Sequence, residues 1–193
     1  DPEITQILFA EMEQKGFKGL GFWEAGYRHL TTSDKVVKTP DDLKGLKIRT
    51  MSSPIQIATW EALGANPTPI AFSELYTALQ QKTVVGQENP YGLIVSQKFY
   101  EVQKNLSTTG HILTVAPFIM NLEFYNSLPD DLKKVIDDAA EETNKYNYQI
   151  AEEEEKASKQ ELIDNGMQII ELTMEQKQLF KDKVASVYEL LQG

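Results

Sequence analysis

The chain carries two arginines, Arg28 and Arg49, against seventeen lysines. Arginine's planar fork grips a carboxylate or phosphate through two parallel hydrogen bonds, which the point charge of lysine cannot do. Keeping arginine for two positions suits an anion clamp, although either residue would serve equally as an ordinary surface charge. Arg49 falls in Gly-Leu-Lys-Ile-Arg-Thr at 45–50, at the end of an expected strand and just before an expected helix. In open α/β sheets ligands sit there, because strand ends and helix amides converge. Met51 and Ser52 share that turn. Asn89 ends another expected strand, before Pro90, with a side-chain amide able to orient a ligand oxygen. Phe72 lies in a strand-to-helix turn, where a core role would require it to point inward.

Signs of covalent chemistry are thin. His29 and His111 lack metal-ligand spacing, and no nucleophile elbow, phosphate loop or dinucleotide-binding glycine pattern occurs. Glu24, Glu88 and Glu123 could pair only through the fold. The chain has no cysteine, which excludes disulfides, thiolate metal sites and a cysteine nucleophile. A net charge of −10 argues against nucleic acid and anionic membrane surfaces as partners, yet it leaves room for a small anion held by local arginines. No apolar run reaches the roughly 20 residues that span a bilayer. The expectation is therefore a binding protein with no cofactor and no metal.

Residues 3–15 are apolar at helical spacing, and Gly16 ends the run; 17–23 reads as a short strand. A turn opens at Pro40, and 46–51 alternates as a strand. Ser53-Pro54 starts a helix with Ile57, Trp60 and Leu63 inward, the serine accepting orphan amide hydrogens. Then follow an extended segment over 66–70, a helix over 74–81 capped by Ser73, a strand over 83–88, a helical piece over 91–99, and one or two strands within 107–124. This alternation predicts an α/β fold with a largely parallel sheet. Residues 129–165 lack internal proline and glycine, and Leu132, Val135, Ile136, Ala139, Ala140, Tyr146 and Ile150 follow helical spacing, so one long helix is predicted. The run 152–155 reads as a solvated face. Thr173-Met-Glu-Gln176 is a capping box, opening a final helix over 174–192 with Leu179, Phe180, Val184, Val187 and Leu191 inward.

The block Gly64-Ala-Asn-Pro-Thr-Pro-Ile-Ala-Phe-Ser-Glu-Leu-Tyr-Thr-Ala-Leu-Gln-Gln81 resembles the DctP-type solute-binding proteins of TRAP transporters. So do Val85-Gly-Gln-Glu-Asn-Pro90, Gln97-Lys-Phe-Tyr-Glu-Val-Gln-Lys104, Leu43-Lys-Gly-Leu-Lys-Ile-Arg49 and Leu128-Pro-Asp-Asp-Leu132. The resemblance runs over nearly the whole chain. It implies a two-domain periplasmic-binding-protein-like fold, type II-like, with a long helix crossing both domains and with the family's N-terminal third lacking. Residues 1–24 would finish domain I, 25–112 would form domain II, and 113–193 would return to domain I with helices 129–165 and 174–192.

The resemblance also implies residue roles. Arg49 matches the arginine that pairs with the ligand carboxylate, and Asn89 the asparagine that hydrogen-bonds it. Phe72 matches the aromatic that packs on the ligand, and Arg28 a second arginine of many members. Met51 and Ser52 match pocket-lining positions. Val85 departs from the family, which usually has aspartate there. The function implied is an extracytoplasmic or periplasmic subunit, its signal peptide removed. It would bind a C4-dicarboxylate, sugar acid or related organic acid and deliver it to the small and large integral membrane subunits of the transporter, without inserting in the membrane itself. An enzyme acting on a carboxylate substrate with a glutamate base, or a ligand-sensing input domain, would use the same residues.

Overall fold

The computed structural model describes residues 2–191, and side chains from 3 to 190. In chain order the elements are α1 (Pro2–Gln14), β1 (Phe17–Thr32), β2 (Lys47–Thr50), α2 (Pro54–Ala62), β3 (Asn66–Pro69), α3 (Leu75–Gln80), β4 (Gly86–Pro90), α4 (Tyr91–Ser96), β5 (Asn105–Asn121), α5 (Leu122–Ser127), α6 (Asp130–Asp164), β6 (Gln168–Ile170) and α7 (Met174–Lys183), with short 3-10 turns between them. Two compact units emerge, residues 1–26 with 114–154 and residues 27–113 with 155–193.

In the first unit, α1, the opening half of β1, the closing half of β5, α5 and most of α6 pack together. The long helix predicted over 129–165 is the 35-residue α6. Nothing in it breaks the hydrogen-bond ladder until Gly166, whose φ of +84° is a left-handed stop. Asn144 on α6 accepts the Trp23 indole N–H at 2.9 Å and donates to the Leu20 carbonyl at 2.8 Å, which ties the helix to β1. A Cβ on Gly21 would sit 2.1 Å from Asn144 Oδ1, so only glycine lets this amide approach. Phe9 stacks on Phe22, and Trp23 meets Phe118 at 4.7 Å between centroids. The apolar stripe expected along the helix is only partly covered: Ala140 is buried, whereas Leu132, Val135 and Tyr146 are exposed.

The second unit is built on the sheet, in the order β3-β2-β4-β1-β5-β6. Pairs β2–β3, β2–β4 and β5–β6 are parallel, but β1 runs antiparallel to β4, with Arg28 opposite Pro90 and Thr32 opposite Gly86. The sheet is thus mixed. The parallel rule governs strands joined by crossover helices, as β2 is joined to β3 through α2; β1 reaches β2 through a loop and a 3-10 turn, Pro40–Leu43, and is free to run the other way. A Cβ on Gly86 would lie 2.6 Å from the Thr31 carbonyl and 2.7 Å from Ile48 Cδ1, so glycine is what lets β4 lie between β1 and β2. Strand β4 begins at Gly86 rather than at 83, because the chain turns first at Lys82, with φ of +56°.

Two apolar clusters cover the sheet. One joins Leu30, Ile48, Trp60, Leu63, Ile170 and Phe180; the other joins Leu75, Leu79, Ile94, Phe99, Leu106 and Leu162. Ile169 packs on the second and Ile170 belongs to the first, so the clusters occupy opposite faces. Residues between 155 and 191 pack with 27–113: Ile170, Leu172 and Phe180 fill one cluster, Leu162 and Met167 the other. Thr173 caps α7 as expected, accepting from Gln176 N while Gln176 Oε1 accepts from Thr173 N. The predicted single helix over 174–192 instead tightens to a 3-10 run, Ala185–Leu191, after Val184. Phe180 and Val187 are buried, Leu179 is exposed, and the Leu191 side chain and Gln192 lie outside the described residues. Ser53 takes the N-cap position of α2 without a side-chain cap, and Ser73 lies inside a 3-10 turn, Phe72–Glu74, rather than at a helix start.

Candidate functional site

Arg49 is the third residue of β2, paired with Thr68 of β3, and its neighbour Ile48 pairs with Gly86 of β4. Alternation along the strand sends Ile48 into the core and Arg49 to the other face. The arginine is 3% exposed. Its Nε donates to the Ile70 carbonyl at 2.9 Å, and its Cζ lies 5.8 Å from the centroid of the Phe72 ring. The two Nη atoms, the pair that forms a bidentate fork, make no hydrogen bond among the described residues. Burial lowers the Arg49 pKa from its ordinary value; the charge of Glu88 opposes that shift and the charge of Arg28 adds to it. Arg28, Glu88 and Arg49 thus stand within one another's field.

Arg28 is already engaged. Its Nε meets Glu88 Oε2 at 2.5 Å, and its Nη2 donates to Glu88 Oε1 at 2.9 Å, to the Glu88 carbonyl at 2.7 Å and to Asn89 Oδ1 at 2.8 Å. Of the two arginines, Arg28 has a buried bidentate carboxylate on its Nε–Nη2 edge, whereas Arg49 has both Nη atoms unbonded among the described residues. Glu88 also accepts from His111 Nε2 at 3.0 Å, while Thr109 Oγ1 lies 2.8 Å from His111 Nδ1. Burial raises the Glu88 pKa, but the hydrogen bonds from His111 and Arg28 outweigh it, and the carboxyl is held below its ordinary value. An ionised Glu88 has no proton to give, so the hydrogen of this contact is on His111 Nε2.

Asn89 is 2% exposed, and its amide is fixed on both sides: Oδ1 accepts from Arg28 and Nδ2 donates to Gln87 Oε1. Phe72 is 40% exposed, edge-on to the buried Phe99 at 6.2 Å, and lies at the surface rather than in the core. Met51 and Ser52 are exposed on the β2–α2 turn; Met51 N donates to Gln56 Oε1 at 3.4 Å. Sequence reasoning placed Arg49, Asn89, Phe72 and Arg28 around one region but missed the roles of Glu88 and His111. The signal was the adjacency of Glu88 to Asn89; the partner, sixty residues earlier at Arg28, is set only by the antiparallel β1–β4 register. Glu88 binds two cationic or donor groups rather than a second carboxylate, so the carboxylate pair considered with Glu24 and Glu123 is not formed by it.

A separate cavity of about 400 Å³ opens in the same unit, lined among others by Trp60, Gly110, His111, Phe180 and Val187. It reaches the Glu88 cluster through His111 but does not include Arg49, Asn89 or Phe72. Among the described residues no group of histidine and acidic side chains could hold a metal ion, and no helix is long and apolar enough to cross a membrane.

Comparison with known proteins gives this arrangement a family. The profile described as "Bacterial extracellular solute-binding protein, family 7" (DctP) matches residues 1–192. A "Solute-binding protein" of Verminephrobacter eiseniae is 44% identical over 171 residues, 89% of this chain and 51% of that protein. A TRAP periplasmic solute-binding protein from Polaromonas sp. JS666, solved with D-erythronate, is 38% identical with a TM-score of 0.89 over 97% of this chain and 61% of its own. Another from Shewanella oneidensis, solved with succinate, is 34% identical with a TM-score of 0.90, again over 97% and 61%. The chain spans about half the length of the curated relatives it matches. A profile that matches from the first strand to the last helix, and takes in every residue of the Arg28–Arg49–Glu88–Asn89 cluster, places the chain in family 7 of the bacterial extracellular solute-binding proteins, the DctP family.

Proposed function

We propose that the protein is the extracytoplasmic ligand-binding subunit of a TRAP transporter and holds a small organic acid by its carboxylate. The observation that carries this reading is the state of Arg49: buried, with Nε fixed on Ile70 and both Nη atoms unpaired among the described residues. A buried cation without a counter-charge favours an anion at its open side. The neighbouring charges decide which anion. Arg28 and Glu88 cancel, and Arg49 beside them leaves one uncompensated positive charge. That suits one carboxylate. The rest of the ligand would pack on the exposed Phe72 and meet the Asn89 amide.

Met51 and Ser52 would line the turn beside it, and Arg28 would act by positioning Asn89 and Glu88. Ligands seen on relatives, D-erythronate and succinate among them, share a carboxylate on a short carbon skeleton. The ligand leaves chemically unchanged and passes to the integral membrane subunits. A glutamate base is poorly supplied, because both oxygens of Glu88 are bonded and its pKa is lowered.

The test is a thermal-shift panel on the full-length protein. It compares D-erythronate, succinate and D-glucuronate with uncharged counterparts such as erythritol and glucose. A ligand that binds only the folded state raises its apparent stability by mass action. Acids should raise the transition temperature and the neutral polyols should not. Equal shifts from a neutral polyol, or none from any acid, would overturn the carboxylate reading.

A further inference from the structure

Asn89 sits at one end of a buried line of polar side chains that the binding reading leaves unused. Asn89 Nδ2 donates to Gln87 Oε1 at 2.5 Å, Gln87 Nε2 donates to Thr31 Oγ1 at 2.9 Å, Thr31 Oγ1 donates to Gln103 Oε1 at 3.0 Å, and Gln103 Nε2 donates to the Val102 carbonyl at 2.9 Å. Thr31 and Gln87 are fully buried, and Gln103 and Asn89 nearly so. The β1–β4 register makes the line, since Thr31 lies directly opposite Gln87 and His29 opposite Asn89, which puts these side chains on one face.

The polarity of this line is forced from both ends. Arginine has no acceptor, so Asn89 must turn its oxygen to Arg28 Nη2 and its nitrogen to Gln87. Gln87 must then offer oxygen to Asn89 and nitrogen to Thr31. The hydroxyl of Thr31, having accepted, gives its hydrogen to Gln103. From the far end, the Val102 carbonyl can only accept, so Gln103 must direct nitrogen to it and oxygen to Thr31. Both ends demand the same orientation, and flipping Asn89 would set its nitrogen against Arg28 Nη2 and its oxygen against Gln87 Oε1, two buried like-to-like contacts that cost far more than a surface rearrangement.

We infer that Gln87, Thr31 and Gln103 are positioning residues that lock the Asn89 amide with its oxygen on Arg28 and its second N–H hydrogen as the group left for a ligand. The consequence for specificity rests on the carboxylate reading above: Asn89 meets the ligand as a donor, matching a carboxylate or hydroxyl oxygen and rejecting an ammonium or amide N–H at that point. The lock itself is a property of the chain with or without ligand.

The experiment compares Thr31→Val, which keeps shape and strand preference but removes the hydroxyl, with Thr31→Ser, which keeps it. Side-chain amide hydrogen exchange is read by nuclear magnetic resonance. The Asn89 and Gln87 NH2 groups should exchange at least about tenfold faster in Thr31→Val, the ratio that one lost buried hydrogen bond carries, and recover in Thr31→Ser. Exchange unchanged in Thr31→Val, or equally fast in Thr31→Ser, overturns the lock. Gln103→Leu probes the other end if the valine variant does not fold. Thr31 can then fall back on the Gln87 carbonyl at 3.4 Å, so a smaller acceleration is expected, and none overturns the proposal. Calorimetry with D-erythronate and succinate completes the test: Thr31→Val should bind the accepted acid about tenfold more weakly and Thr31→Ser like the wild type. If the wild type binds neither acid, the carboxylate reading fails, while amide exchange still decides the lock.

Discussion

Replacing His29 with asparagine should remove most of the pH dependence of stability between pH 7 and 5. His29 is 5% exposed on β1, stacked on Tyr91 at 4.3 Å, with Nδ1 accepting from Gly110 N at 3.1 Å and Nε2 buried without a partner among the described residues. Burial first, then the positive charges of His111, Lys177 and Lys159, push its pKa down to about 3, while Glu171 opposes them. The imidazole is thus neutral in the folded protein at every pH where an unfolded histidine, of pKa 6.5, takes up a proton. The unfolded chain binds more protons in that window, so its contribution is fully present above pH 6.5 and is lost as pH falls. One titrating group changes stability by at most about 1.4 kcal/mol per pH unit, and integrating from pH 7 to 5 gives a loss of about 2 kcal/mol.

Asparagine can still accept from Gly110 and does not titrate. Urea unfolding at pH 7, 6 and 5, followed by fluorescence of the buried Trp60 in a Trp23→Phe background, measures both proteins. The wild type should lose about 2 kcal/mol more than the variant over this range. Carboxyls held low, such as Glu88 and Asp42, act in the same direction but below about pH 5, near their ordinary pKa values. Parallel pH profiles for the two proteins, or a wild type that gains stability toward pH 5, would refute the reasoning, since either means that the folded imidazole accepts a proton.

Two further outcomes follow from the site. Glu88→Gln leaves the buried Arg28 without a counter-charge and should cost about 3 kcal/mol of stability, measured by denaturant unfolding. A loss below about 1 kcal/mol would mean that the pair is solvated rather than buried. Phe72→Ala should leave stability nearly unchanged, because the ring is 40% exposed, and should weaken acid binding by about 1 kcal/mol, less than any change at Arg49. Unfolding of that variant would make Phe72 a core residue.

What the sequence made legible has physical grounds. Helix α6 was readable because an unbroken run of helix formers has no competing signal before Asn165-Gly166, and Thr173 because a capping box is a local device. The reach of β1 to Thr32 was not, since it was expected to end near 23 and its second half buries polar residues, Arg28, His29, Thr31 and Thr32, that hydropathy assigns to a loop. They are buried because their partners arrive from β4 and β5, which no local pattern encodes. Arg49, Asn89 and Phe72 could be singled out by position at strand ends and turns. That Arg28 is held by Glu88 could not, because the pairing depends on the antiparallel register. The packing of β6 is not locally encoded for the same reason: Ile170 and Leu172 look like any apolar pair until β6 is set beside β5.

The carboxylate clamp is tested most directly by Arg49→Lys, titrated by calorimetry against whichever acid the full-length protein accepts. Lysine keeps the charge but loses the fork and the Nε bond to Ile70. A charged hydrogen bond contributes about 1.5–3 kcal/mol, so affinity should fall by at least about tenfold while the fold, read by circular dichroism, stays intact. Affinity within about threefold of the wild type would contradict the clamp.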